Sequence, residues 1–536
     1  MNEQSTTFWG RLDRLSRNRR AGIIICGLVA LAVSAAFTAV RVPVPRVHDE
    51  FSYLLAADTF ANGRLTNKPH LLWEHFESFH VIQQPSYNSK YQPGQGLLLA
   101  LGQIFGGHPI VGAWFSSALA ASAVCWMLQG WVPRRWALLG GLLVALHGTI
   151  QIHWSLSYWG GSLPMVGGAL MFGALPRTLR RPRISTSTLM AVGAMILALT
   201  RPFEGFIVGA CVTLALIAWM FSSRRADWLS LIADLFIPCA AVLWVGVVGI
   251  AYYNSQVTGN PLQLPYQVHE AEYGCSPLFL FKPPKEQPEY RHDVMREFQT
   301  GWGIEDYQKQ QTLRGWLKAK TRGLTELGQF FLGSALWLPL LMIRPLLARK
   351  RMRFVWFALA AFVTAELSVA WVFPHYFAPI VPLLFLLVVQ GMRYLAALPR
   401  CGHAWARIAV PALVVLHVIA VPTLFAQYVQ WQPEGWQWNR ARLAEQLAEM
   451  PGRHLVLVEY GPHHSGHEEW VYNRADIGRA QTVWARQITP DKDAQLLRHF
   501  YQRQAWLVRA DDAEPRLIAI EKNSAGEIVS LADVER

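Results

Sequence analysis

Residues 21–50 read AGIIICGLVALAVSAAFTAVRVPVPRVHDE, and the change of character part-way along decides how the chain is built. Residues 21–40 carry no charge and are long enough to cross the hydrocarbon core of a bilayer, which takes roughly 20 residues of helix. A cleavable signal core runs only about 7–15 residues, so the segment reads as a retained anchor preceded by a basic cytoplasmic tail, residues 1–20. On leaving the hydrocarbon the chain sets His48, Asp49 and Glu50 side by side. Ionisable groups packed at such a boundary are either solvated or present for chemistry.

The rest of the chain has the same character. Of 536 residues, 52% are hydrophobic and 16% charged, with 23 Trp, which is too apolar and aromatic for a soluble protein of this length. Further apolar segments at 109–131, 136–153, 161–176, 187–200, 203–221, 229–252, 327–346, 354–373, 377–395 and 406–426 predict a polytopic α-helical membrane protein with about 11 spans. The alternate gaps that then face the cytoplasm hold 20 Lys and Arg, whereas the short outer turns hold one, Arg201. The formal charge of +13 is therefore mostly topology, and it gives no reason to expect nucleic acid as a partner. The long outer loops, 41–108 and 253–326, have balanced charge, with nine basic and nine acidic residues in the second. Cys275 alone falls in an outer segment, so the six cysteines supply no disulfide framework.

Within the first loop, Asp49 can cap a helix that ends at Asn62-Gly63, and GQGLLLALGQIFGG is too short to span and reads as a helix lying in the interface. This predicts a loop folded down on the membrane. In the second loop, YQKQQTLRGWLKAKTRGL reads as a surface-lying helix. From residue 430 to 536 the hydropathy drops. RARLAEQLAEM and DKDAQLLRHFYQRQ read as helices, and HLVLVEYG, TVWA and AWLVRAD as strands, which predicts a small extracytoplasmic α/β domain.

Several residues carry two readings. Asp49 is either an N-cap or a general base whose pKa partial desolvation and Glu50 push toward a useful range. Lys90, in SYNSKYQPG, is a solvated loop lysine or an anion ligand. Glu366 lies about seven residues inside the ninth span, where a carboxylate is costly; Arg201 and Glu204 of TRPFEG are its natural partners, in a structural ion pair or a site. His153, Trp154, Tyr158 and Trp159 form an interfacial aromatic belt or a surface on which sugars stack. His463, His464, His467, Glu468 and Glu469 are solvated loop residues or zinc ligands.

The acidic pair after the first span, the Lys90-Tyr91 and Pro93 stretch, the short interfacial helix and the late FPHYFAPIVP entrance together resemble the GT-C class of membrane glycosyltransferases. The nearest likeness is to the lipid A aminoarabinose transferases and protein O-mannosyltransferases, over residues 21–426. The resemblance implies that Asp49, followed by Glu50, deprotonates the acceptor hydroxyl, and that Lys90 meets the donor phosphate. Tyr376 matches the Tyr of an Arg-Tyr pair in that class. Here His375 stands in place of the Arg, and it would be cationic at neutral pH only if an acid such as Glu366 raised its pKa above about 6.5.

The sequence thus predicts an integral membrane glycosyltransferase of the bacterial inner membrane, with its active site on the outer face. A polyprenyl-phosphate-linked sugar is the donor; a hydroxyl of a lipid, glycan or protein is the acceptor. Membrane lipids surround the chain. Asp49 is the base, Lys90, Arg201, Tyr376 and His375 are candidates for the phosphate, Glu366 and Glu204 support them, and Tyr158 and Trp159 contact sugar. No cofactor is required, because a lipid phosphate is already a good leaving group, although the class divides on a divalent metal. The rival readings are a transporter or lipid flippase, with Glu366 and Arg201 as pathway residues, and a non-catalytic envelope assembly protein.

Overall fold

The computed structural model describes residues 8–222, 228–401, 403, 405–522 and 528–533. Asn18 starts the first span: its side chain accepts from the N–H groups of Arg20 and Ala21, and the helix runs Arg19–Val40. At its outer end the Arg41 guanidinium donates to the Trp431 carbonyl at 3.2 Å and lies over the rings of Tyr428, Trp431 and Trp438. The first span is thereby tied to the end of the last one, Ala406–Gln430.

The protein is a multi-pass membrane protein. Among the described residues, five helices are long and apolar enough to cross a bilayer, or six if a pair bent by 55°, Arg134–Ala145 and Gly148–Ser155, forms one span. Shorter apolar helices occupy Ser162–Thr178, Ile184–Ala198 and Val381–Leu395, matching expected segments. The segment 327–346 departs from expectation. The amphipathic helix Leu313–Leu332 runs into it and stops at Gly333, which adopts φ 54°, and the chain continues as a short turn, Leu338–Leu341, and a short helix, Ile343–Ala348. The ninth segment also ends early, at Glu366 rather than 373. Beyond it the backbone pairs with the second outer loop, Leu280 N–H to Ser368 O and Ala370 N–H to Leu278 O, both at 2.8 Å. Glu366 is therefore the last residue of its helix and not a residue two turns inside it.

The first outer loop forms a helix, His48–Ala61, a two-stranded hairpin, Val81–Ile82 with Asn88–Ser89, and a helix, Pro93–Gly106. The last of these matches the short apolar helix expected there, and Leu101, Ile104 and Phe105 are exposed on it. Gly102 lets it meet the next span closely, since a Cβ there would stand 2.1 Å from the Gly112 nitrogen. The N-terminal half of the loop packs against the C-terminal unit, a contact the sequence reading does not include. It shares a core with the C-terminal unit, in which Phe51, Leu55, Phe76 and Tyr87 pack with Leu455, Tyr472, Val483 and Leu507. Phe51 and Tyr472 stack with ring centroids 4.0 Å apart.

The C-terminal unit is a five-stranded sheet in the order 482–486, 454–459, 504–509, 518–522, 528–533. The first three strands are parallel, with helix Pro490–His499 as a crossover, and the last two, which the sequence reading does not include, are antiparallel. Glu77, buried in the first loop, fastens the outer parts together. Its carboxylate accepts from the Tyr273 hydroxyl at 2.7 Å and meets Arg291 and His292 at 3.2 Å each, and its carbonyl accepts from Arg486 of the sheet at 3.4 Å.

Asp49 is not the cap of its helix. Val47 occupies the N-cap, and Glu50, at the third helical position, bends back so that its carboxylate accepts from the N–H groups of Arg46 at 2.7 Å, Val47 at 3.3 Å and Tyr158 at 3.0 Å. Glu50 is 2% exposed. Replacing Glu50 with Ala strands these buried donors at about 1–3 kcal/mol for each one left unmade. The expected outcome is a clearly lowered midpoint of thermal unfolding in detergent.

Candidate active site

Because Glu50 is bound back to the backbone, Asp49, about 100° away round the same helix, is free to face elsewhere. It faces a cavity of about 490 Å³ lined by both outer loops, the segments after Thr200 and Val369, and His467 of the C-terminal unit.

The hairpin supplies the first groups around Asp49. Pairing of Val81 with Ser89 brings His80 and Lys90, ten residues apart in sequence, to the same end. The Lys90 N–H donates to the His80 carbonyl at 3.2 Å, and the Ser52 hydroxyl donates to the same oxygen at 2.7 Å. His80 is held at φ 60°, a conformation that non-glycine residues adopt mainly where surrounding structure imposes it. The Tyr91 hydroxyl donates to the Asp49 carboxylate, and His80 Nδ1 lies 3.0 Å from that hydroxyl and 3.6 Å from Asp49. Burial would raise the pKa of Asp49, but His80 and the Lys90 ammonium outweigh it and hold the carboxylate well below its usual range.

Lys90 is buried, not a solvated loop lysine. Its ammonium lies 3.6 Å from the Glu270 carboxylate, between the rings of Tyr91 and Tyr266 at 5.5 and 5.3 Å. Burial lowers the Lys90 pKa against the pull of Glu270 and Asp49. For Glu270, burial pushes upward while the hydrogen bond to His269 and the charge of Lys90 pull harder, so its pKa falls to about 2.

On another wall Arg201 lies over the Tyr376 ring at 4.8 Å, with its guanidinium 4.0 Å from Glu204. His375 stands between Trp159, at 4.7 Å, and Phe373, at 5.5 Å. Burial and the charge of Arg201 lower the His375 pKa well below its ordinary value. The sequence expectation that Glu366 would make it cationic is thus reversed, and the fixed positive charge beside Tyr376 belongs to Arg201.

The structure brings Asp49, Lys90, Arg201, Glu204, His375, Tyr376 and Trp159 to one cavity. It does not bring Glu50, Tyr158 or Glu366 there. The Tyr158 hydroxyl donates to the Pro43 carbonyl at 2.8 Å and its N–H serves Glu50, so this residue ties the first loop to the bundle. Glu366 is 1% exposed and lies behind the wall. The histidine-rich stretch also separates: His464 pairs with Asp511 at 2.7 Å, Glu469 binds Arg486 and Tyr460, and only His467 reaches the cavity. Among the described residues no three His, Cys, Asp or Glu side chains converge to hold a metal.

Sequence reasoning missed His80, Tyr266 and Glu270. Tyr91 was in view beside Lys90, but nothing in the spacing of the others signals that a hairpin and a loop helix, Pro265–Glu272, meet at Asp49.

The sequence matches no protein-family model, and a comparison with curated proteins finds no match either. Solved structures do match. ArnT from Cupriavidus metallidurans bound to undecaprenyl phosphate is 14% identical with a TM-score of 0.51, over 91% of this chain and 92% of that one. The chain has the GT-C fold. The Archaeoglobus fulgidus oligosaccharyltransferase tethered to an acceptor peptide is 13% identical over 95% of this GT-C chain and 70% of its own, with a TM-score of 0.48. The arabinofuranosyltransferase AftD from Mycobacteria, at 13% identity and a TM-score of 0.41, covers 91% and 35%.

The lowered pKa of Glu270 gives the site a definite response to acid. The Lys90–Glu270 pair stabilises the fold fully above the ordinary carboxylate value of about 4.3 and loses that contribution as pH falls toward 2. Thermal midpoints in detergent should therefore be flat from pH 7 to about 5 on this account and fall below about 4. Glu270→Gln should lower the midpoint at pH 7 and flatten the acid limb; an unaltered limb would contradict the pairing.

Proposed function

We propose that this GT-C protein is an integral membrane glycosyltransferase that moves a sugar from a polyprenyl-phosphate donor to an acceptor hydroxyl on the extracytoplasmic side of a bacterial inner membrane. The observation that carries this reading is the cavity itself: a carboxylate held ionised beside a buried cation, Lys90, with a second, half-buried cation, Arg201, on another wall, in a bundle whose fold matches a protein bound to undecaprenyl phosphate.

The roles follow from charge and position. Lys90 and Arg201 attract the anionic phosphate of the donor, and Tyr376, beneath Arg201, holds that guanidinium in place. Asp49 accepts the proton of the acceptor hydroxyl as its oxygen bonds to the anomeric carbon. The bond from that carbon to the phosphate oxygen breaks, its electron pair leaves on the lipid phosphate, and the cations stabilise the charge that gathers there. The proton remains on Asp49 until solvent takes it. Tyr91 and His80 orient the carboxylate, and the low pKa of Asp49 keeps it in the accepting form throughout the neutral range.

Transfer of labelled sugar from polyprenyl-phosphate donors, measured on the full chain in lipid nanodiscs, tests the reading. Asp49→Asn should reduce the rate by roughly 10²–10⁴-fold while leaving undecaprenyl phosphate binding intact. Lys90→Ala and Arg201→Ala should weaken that binding. Full activity in Asp49→Asn would overturn the assignment of the base, and envelope glycans and lipids unchanged by loss of the gene would overturn the reaction.

A further inference from the structure

The wall of the cavity that adjoins Asp49 is aromatic, and three distant parts of the chain build it. Phe298 and Trp302 come from the second outer loop, Trp371 from the extended segment after Glu366, and His467 from the C-terminal unit. The Trp302 and Trp371 rings are nearly parallel, 16° apart in plane with centroids 5.7 Å apart. His467 meets Trp302 edge-on at 5.7 Å and Phe298 at 5.1 Å. Phe298 in turn lies 5.3 Å from His48, the chain neighbour of Asp49, and 6.4 Å from His80. The wall thus starts beside Asp49 and reaches the C-terminal unit through His467.

Its backbone is shaped for access. The helical stretch from Asp293 to Lys309 widens into a π turn at Gln299–Gly303, a rare local geometry that recurs at functional sites. Side chains of the preceding segment satisfy carbonyls of that turn: Cys275 donates to Gln299 at 3.2 Å and Ser276 to Gly303 at 2.8 Å. Gly303 lines the cavity without filling it, and Trp302 keeps 41% of its surface exposed. These rings line the cavity, and one of them belongs to the sheet unit. Partly exposed ring faces edged by the polar groups of Gln299 and Ser276 match the two kinds of surface of a sugar ring, its C–H face and its hydroxyl rim.

We infer that Phe298, Trp302, Trp371 and His467 form the acceptor subsite, and that the acceptor presents a sugar ring there. This rests on the glycosyltransferase reading and narrows it: the hydroxyl that Asp49 deprotonates belongs to a carbohydrate, free or lipid-borne, and the C-terminal unit helps to select it through His467.

Saturation-transfer NMR on the full chain in nanodiscs tests this with two sets of probes, methyl glycosides with short soluble oligosaccharides, and a glycolipid placed in the bilayer. Undecaprenyl phosphate binding is measured in parallel. Saturation should reach sugar ring protons. Trp302→Ala and His467→Ala should weaken glycoside binding roughly three- to tenfold, Trp302→Phe should restore most of it, and undecaprenyl phosphate binding should not change. Signal from soluble sugars identifies a free glycan as the source, and signal from the glycolipid alone identifies a lipid-borne one; either supports the subsite. Failure of both the soluble glycosides and the glycolipid to bind a protein still binding undecaprenyl phosphate, or binding of the responding probe to Trp302→Ala and His467→Ala as tightly as to wild type, overturns the subsite and leaves the transferase standing. Binding of neither glycoside nor undecaprenyl phosphate overturns both.

Discussion

The site depends on how one carboxylate is separated from its neighbour. Asp49 and Glu50 are adjacent in sequence, and two such charges facing the same buried space would raise each other's pKa and leave one of them protonated. The helix prevents this. Glu50 turns back to three backbone donors and becomes part of the frame, while Asp49 points into the cavity toward a phenol, an imidazole and a buried ammonium. The acidic pair therefore consists of one group bound into the frame and one that faces the cavity, and the geometry of His80, Tyr91 and Lys90 has meaning only because of that division.

A second constraint acts on the outer parts. Neither long loop has a core of its own, and the C-terminal sheet leaves apolar side chains that need cover. The loops meet that need: Phe51 and Phe76 complete the packing of the sheet, and Glu77 is shared by ionic and hydrogen-bonded partners from the other loop and from the sheet. Removing one partner of such a buried group is costly, so the three pieces are held in register. That register sets the aromatic wall against Asp49. It also explains why a unit that looks like an appendage in sequence contributes to the cavity.

Much of the architecture was legible in the chain because hydrocarbon is an exacting solvent. An uncharged run such as residues 21–40 has few alternatives to a helix, and the interfacial helix Pro93–Gly106 was marked by its length and apolar face. Legibility failed where tertiary contacts overrode a local pattern. Gly333 interrupts a segment that reads as one span, and pairing with the second loop ends a helix at Glu366, which puts that residue at a helix end and not two turns inside a span. His375 would be a cation only if an acid raised its pKa, and burial beside Arg201 lowers it instead.

What the sequence by itself determined is the membrane fold class and the acidic residue that faces the cavity, since hydrophobic length, basic-residue asymmetry and a charged cluster at a span exit are properties of short stretches. What only the tertiary structure decided is the company that residue keeps. His80 reaches it through a strained turn, Glu270 through Lys90, and His467 from 418 positions further along the chain. Nothing in the spacing of these residues requires such contacts. They exist because burying the loops and the sheet against one another is the arrangement in which each hides its apolar surface, and the polar groups are carried to the cavity by that packing.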